Sequence, residues 1–194
     1  MRKTTKPKRV PHAGEKHATA THKPARAPEH ARAQAAPRPV GVAIITVSDT
    51  RRGADDTSGA LAERLLTGCG CTVLARGWVR DDVTAIRAAL RKQLARRGVD
   101  AVVLTGGTGM APRDVTPEAV EPLLERPLPG FGERFRALSW ASVGSAAWLS
   151  RAGAGVARGR LVVYLPGSVG AVRQALESLL IPELVHAVRV LGRF

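Results

Sequence analysis

Between residues 104 and 119 the chain reads LTGGTGMAPRDVTPEA, and two kinds of chemistry meet there. Thr105, Gly106, Gly107, Thr108 and Gly109 follow an apolar run. Glycines let backbone N–H groups approach a ligand closely, and a loop of this kind receives phosphate oxygens. Asp114 then adds a carboxylate, which an anion alone would repel. A hard dication reconciles the two, because Mg²⁺ takes oxygens from carboxylates and phosphates together. The stretch therefore predicts a metal-bound nucleotide. Asp56 and Asp81, or the adjacent Asp82, fall after strands or at helix starts expected on the same edge of a sheet, although each can equally serve as a helix N-cap. Arg113 or Arg151 can balance charge, while an arginine after a loop, as Arg151 is, more often forms a structural ion pair.

A second loop, Leu165-Pro166-Gly167-Ser168, leads into a helix N-terminus, where the macrodipole and free N–H groups favour an anion by roughly 0.3 to 1 kcal/mol at exposed sites. Ser48-Asp49 and Ser58-Gly59 add hydroxyl and carboxyl groups near the end of the first strand. Other chemistries are excluded. The G-x-x-x-x-G-K-[ST] phosphate loop is absent, Lys92 is the only lysine beyond residue 39, and G-x-G-x-x-G does not occur. No Ser-His-Asp set is visible, because His186 is the only histidine past the first 39 residues and has no nucleophile near it in sequence. Cys69 and Cys71 form a lone C-x-C, too few ligands for structural zinc, and are expected as reduced thiols.

The elements that must position these residues follow from periodicity. Val40 to Val47 (VGVAIITV) reads as a buried parallel strand. A helix over Ser58 to Leu66 is capped by Asp56, Thr57 or Ser58 and stopped by Gly68 to Gly70. Val73 to Val79 reads as a second strand. Asp82 to Arg97 is a helix with Ile86, Leu90 and Leu94 on one face, and Asp100 to Leu104 is a third strand. Three such alternations imply an α/β domain with parallel pairing and right-handed crossovers. The glycine loop then opens at the carboxyl end of a central strand, where such sheets bind ligands. Pro117 to Leu124 is a short helix, another begins after Gly130, and Arg160 to Leu165 is the last clear strand. Val169 to Leu180 is helical, and Pro182 kinks or restarts it.

Charge divides the chain. Residues 1–39 carry ten Lys or Arg against two Glu, with six prolines, nine alanines, four histidines (His12, His17, His22, His30) and no aromatic residue. Such a segment cannot offset its ordering entropy, so 1–39 is expected as a disordered basic Pro/Ala-rich tail and 40–194 as the folded domain. Without aromatic side chains the tail offers no stacking platform, which leaves at most weak, salt-sensitive attraction to polyanions. No stretch approaches the ~18 to 20 apolar residues of a membrane span, and no signal-peptide core follows the start. A soluble cytoplasmic protein is expected.

The segments TVSDT, DDTSG, TGGTGMAPRDVTPEA, PGFGERFRALS, LSRAGAGV and LPGSVGAV, in that order and spacing, resemble the molybdenum cofactor biosynthesis proteins of the MoaB/Mog type over about residues 40 to 190. The resemblance implies a three-layer α/β sandwich with a mostly parallel central sheet, assembly as a trimer or a hexamer, and binding of molybdopterin. It further implies transfer of AMP from Mg-ATP to the terminal phosphate of molybdopterin, before a dedicated partner inserts molybdate. Carried onto this sequence, Thr105 to Gly109 take the nucleotide phosphates, and Asp114 and Asp81 are the catalytic and Mg²⁺-holding carboxylates, with Asp82 the adjacent alternative. Ser48, Asp49, Asp56, Ser58, Gly59, Pro166, Gly167 and Ser168 fall to the molybdopterin side. Two rival roles share these residues: a protein that binds molybdopterin without transferring AMP, and an oligomeric scaffold acting through its basic tail.

Overall fold

The computed structural model describes residues 38–51 and 53–193. Of the expected basic tail only Arg38 and Pro39 are included, and the rest lies outside the described residues.

Strand β1 (Gly41–Val47) is buried along its whole length, as an unbroken β-branched run must be when both faces of a sheet are covered. It pairs in parallel with β2 (Thr72–Val79) and β3 (Ala101–Thr105), and β3 pairs in parallel with β6 (Arg160–Leu165). The antiparallel strands β5 (Gly153–Ala157) and β4 (Arg126–Pro127) extend one edge, giving the order β2-β1-β3-β6-β5-β4. Thr46 is level with Thr105, and Thr105 with Leu165. The loops that follow β1, β3 and β6 therefore start at one height along one edge.

Alternation of side chains along the strands builds two cores. Val42, Ile44, Val103, Val163 and Leu165 pack against α1 (Thr57–Gly68), α4 (Pro129–Val143), α5 (Val169–Ala175) and α6 (Ile181–Val190). Ala43, Ile45, Val102, Leu104 and Val162 pack against α2 (Val83–Ala95) and α3 (Thr116–Val120). Helices thus cover both faces of a mostly parallel six-stranded sheet, the expected three-layer α/β arrangement.

The structure departs from the sequence reading at the unpredicted strands β4 and β5, at the end of α3 and between α5 and α6. Strand β5 carried no strand signal, because GAGVA has almost no bulk; a Cβ on Gly153 would lie 2.2 Å from the Tyr164 hydroxyl and one on Gly155 2.6 Å from Leu124. Its small residues answer to close packing, not to β-propensity. Helix α3 ends at Val120 and passes into a 3₁₀ turn, Glu121–Leu123, that contains Pro122. Between α5 and α6 the chain widens into a π turn, Leu176–Leu180, immediately before α6. Pro182 lacks the N–H and the clearance that a regular turn demands, and the wider turn accommodates it.

At the amino edge of the sheet the Asp100 side chain is fully buried. It accepts from Arg38 at 2.7 and 2.8 Å, the Gly41 N–H at 2.9 Å and Arg193 at 3.2 Å. Cys69 and Cys71 are free thiols. No helix among the described residues is long and apolar enough to cross a membrane.

Candidate functional site

The chain leaves β1 toward β2 and later enters β3 on the opposite side of β1, so the carboxyl ends of β1 and β3 flank a topological switch point. The glycine loop fills it. Gly106 has φ +104°, its N–H donates to Leu165 O at 2.8 Å, and a Cβ there would lie 2.1 Å from Val47 O. Only glycine passes between β1 and β6 at this height. Gly107, with φ +63°, is equally confined, since its Cβ would meet Asp81 Oδ1 at 2.3 Å and Thr116 Oγ1 at 2.4 Å.

The carbonyls of this loop are engaged one after another. Thr116 Oγ1 donates to Gly106 O at 2.8 Å and Thr116 N–H to Gly107 O at 2.9 Å. Arg151 N–H donates to Thr108 O at 3.0 Å, and Arg151 Nε to Gly109 O at 2.9 Å. With its acceptors committed to the protein, the loop has its amides, not its carbonyls, to offer an anion.

A cavity of about 300 Å³ opens above the three strand ends. Of the sequence-predicted residues, Ser48, Asp49, Ser58, Asp81, Thr105, Gly106, Gly107, Asp114, Gly167 and Ser168 line it. The others stand behind its wall. Asp56 caps α1 by accepting from the Gly59 N–H at 2.9 Å, and it also takes Thr46 Oγ1 at 2.7 Å and Arg76 at 2.9 Å. Burial opposes its charge, but those hydrogen bonds and the Arg76 guanidinium hold the carboxyl below the usual range. Gly59 packs on Asp56, where a Cβ would lie 2.2 Å from the carboxylate. Thr108 is buried, Gly109 packs against the Asp114 carboxylate at a Cβ distance of 2.7 Å, and Pro166 faces a separate apolar pocket beside α4.

The structure separates the adjacent pair Asp81 and Asp82. Asp82 is the N-cap of α2, accepting from the Ala85 N–H at 2.8 Å. Asp81 turns into the cavity, and its buried Oδ1 has no hydrogen-bond partner among the described residues. Burial, followed by the nearby Asp49 and Asp114 carboxylates, raises Asp81 to about 6, with Arg113 pulling the other way. Thr105 Oγ1, also buried, is likewise without a partner and lines the same cavity. No three His, Cys, Asp or Glu side chains among the described residues are grouped as a metal site. A cation that fits here is one that completes its shell with phosphate and water oxygens, as Mg²⁺ does.

Sequence reasoning passed over Arg51. It sits in the cavity lining and reaches across it, donating to Gly167 O at 3.0 Å, while its own N–H and that of Thr50 turn around Ser48 Oγ at 3.0 and 3.3 Å. Its position directly after TVSDT was the available signal. Arg113 lines the same cavity, so two cations face three carboxylates. Thr46, Val47 and Thr50 complete the lining from the end of β1.

Residues 43–186 match the family described as "Probable molybdopterin binding domain". The chain is 46% identical over 155 residues to molybdenum cofactor biosynthesis protein B of Halalkalibacterium halodurans, covering 79% of this chain and 91% of that protein. It is 47% identical over 157 residues to the protein of the same name from Bacillus subtilis, covering 80% and 92%. A crystal structure of a molybdenum cofactor biosynthesis protein B superposes with a TM-score of 0.79 at 43% identity, covering 82% of this chain and all of the other.

Proposed function

Because the chain belongs to the molybdopterin-binding-domain family of molybdenum cofactor biosynthesis proteins, we propose that it transfers AMP from ATP to the terminal phosphate of molybdopterin. The observation that carries this reading is Asp81. A carboxylate with a buried oxygen that has no partner among the described residues, held beside Asp49 and Asp114 and across from a phosphate-receiving loop, is short of a cation that phosphates would bring with them. Asp81 and Asp114 are the residues to hold Mg²⁺, which when bound supplies charge neutralisation on the phosphates.

The remaining work falls to the chain's own groups. A terminal phosphate oxygen of molybdopterin attacks the α-phosphorus of ATP, the bond from that phosphorus to the bridging oxygen breaks, and pyrophosphate leaves with the electron pair. Such transfers depend on in-line positioning and electrostatic stabilisation more than on a protein nucleophile. The Gly107 amide and the Thr105 hydroxyl receive nucleotide phosphates, and Thr108 and Gly109 shape the loop behind them. Arg51 and Arg113 offset negative charge. Ser48, Asp49, Ser58, Gly167 and Ser168 orient the molybdopterin side, while Asp56, Gly59 and Pro166 fix the walls behind it. The protein acts in the cytoplasm as a trimer or hexamer and hands its product to a molybdate-inserting partner.

The test is direct. The purified chain is mixed with molybdopterin and ATP labelled at the α-phosphate, with and without Mg²⁺. Label is expected on molybdopterin only when Mg²⁺ is present. Molybdopterin binding without any transfer would reduce the protein to a carrier.

A further inference from the structure

Asp114 stands on a small closed loop. Its carboxylate accepts from the Ala111 N–H at 3.0 Å and its own N–H donates to Ala111 O at 2.8 Å, so residues 111–114 move as one unit. The chain enters this turn from Gly109 and leaves it at Asp114. One side chain holds both. Arg151 donates from Nε to Gly109 O at 2.9 Å and from a terminal nitrogen to Asp114 O, and its other terminal nitrogen is ion-paired with Glu118 on α3. The Arg151 backbone is fixed in turn by its bond to Thr108 O at 3.0 Å. Arg151 does not enter the cavity that holds Asp81 and Asp114; it lies on the far side of the loop, in the wall of a second pocket shared with Glu118.

From this arrangement we infer that Arg151, clamped by Glu118, is a positioning residue that sets where the Asp114 carboxylate stands relative to Asp81. The planar guanidinium suits the task because it reaches three acceptors in fixed directions, which a lysine ammonium on a flexible stem does not. Asp114 is thereby placed by a contact to its backbone, leaving its outward carboxylate face for the cation.

The inference rests on the proposed function for its kinetic arm only. In Arg151→Gln, hydrogen exchange of the amides in 108–115 should quicken about tenfold while those of β1 and β3 keep their protection. In AMP transfer, kcat should fall about 10- to 100-fold, with the Mg²⁺ concentration for half-maximal rate raised and the KM for ATP changed less than about threefold. Arg151→Lys should recover only a minor part, and Glu118→Gln, which leaves both carbonyl bonds in place, should give an intermediate loss. The latter two variants carry the test if the Gln variant does not fold. Unchanged exchange in the loop overturns the inference, as does a loosened loop with wild-type kcat and Mg²⁺ dependence. If the wild-type chain transfers no AMP, the proposed function falls by itself. The latch is then decided by Mn²⁺ binding read by electron paramagnetic resonance: weaker in Arg151→Gln sustains it, equal binding overturns it.

Discussion

Asp100 and Asp81 stand at opposite ends of the same mostly parallel sheet. At the amino end, burial opposes the charge of Asp100, but Arg38, the Gly41 N–H and Arg193 outweigh it and hold the carboxyl below its usual range. At the carboxyl end, burial acts on Asp81 with two carboxylates beside it and no partner for Oδ1 among the described residues, so the group rises to about 6. The difference separates a residue that holds the molecule together from one that waits for something. Asp100 contributes stability above its unfolded value near pH 4, and that contribution is lost as pH falls through its lower folded value. Asp81 has the opposite sign: its contribution is full below about pH 4 and is lost as pH rises through about 6.

The largest effect expected at the carboxyl end is on rate. Asp114→Asn keeps an acceptor for the Ala111 N–H but removes the charge that would face the proposed Mg²⁺, so the proposed AMP transfer should fall on the order of 10²- to 10³-fold with the fold intact. Steady-state assay with circular dichroism decides it, and full activity would remove Asp114 from the site.

At the amino end the expected loss is stability alone. Asp100→Asn removes the buried carboxylate that Arg38 and Arg193 share and should cost about 3 kcal/mol, the low end for a broken buried pair because both arginines reach solvent. Urea unfolding measures this. Activity per folded molecule should not change, and a parallel loss of rate would erase the contrast between the two ends.

Gly107→Ala sharpens the comparison by filling the space beside Asp81. The positive φ alone costs about 1 kcal/mol or more for a non-glycine residue. The new methyl would also press on Asp81 Oδ1 and Thr116 Oγ1 at 2.3 and 2.4 Å. Calorimetry should record a lowered Tm and weakened nucleotide binding together. Normal binding would show that the loop is not the phosphate cradle.

The smallest effect is a gain. Asp81→Asn, in chelator and without nucleotide, removes a charge the folded protein disfavours at pH 8, so Tm should rise by roughly 1 to 3 °C. At pH 5, where Asp81 is already protonated, the difference should shrink. Thermal melts at the two pH values test the sign, and a lower Tm at pH 8 would contradict the raised value.

Much of the framework could be read from residue patterns. The runs at β1, β3 and β6 and the apolar faces of α1 and α2 announced parallel α/β pairing, because burial on both faces forces unbroken apolar strands. The stretch LTGGTGMAPRDVTPEA pointed by its residue types to the glycine loop and Asp114, and the order of the short motifs carried the family. Strand β5 gave no signal, since its glycines serve close contacts with Tyr164 and Leu124, and β4, Arg126–Pro127, is too short to show a period.

What the sequence determined by itself was therefore whatever depends on near neighbours: strand and helix periods, caps, the glycines of a turn. Which of two adjacent aspartates faces the cavity was a tertiary decision, because it rests on Asp82 capping α2 and on Gly107 leaving room for Asp81. So was the role of Arg151, whose acceptors Gly109 and Asp114 lie 42 and 37 residues away in the chain. A carboxylate's charge state and an arginine's partners are set by what folding brings within a few ångströms, and local sequence carries no record of those distances.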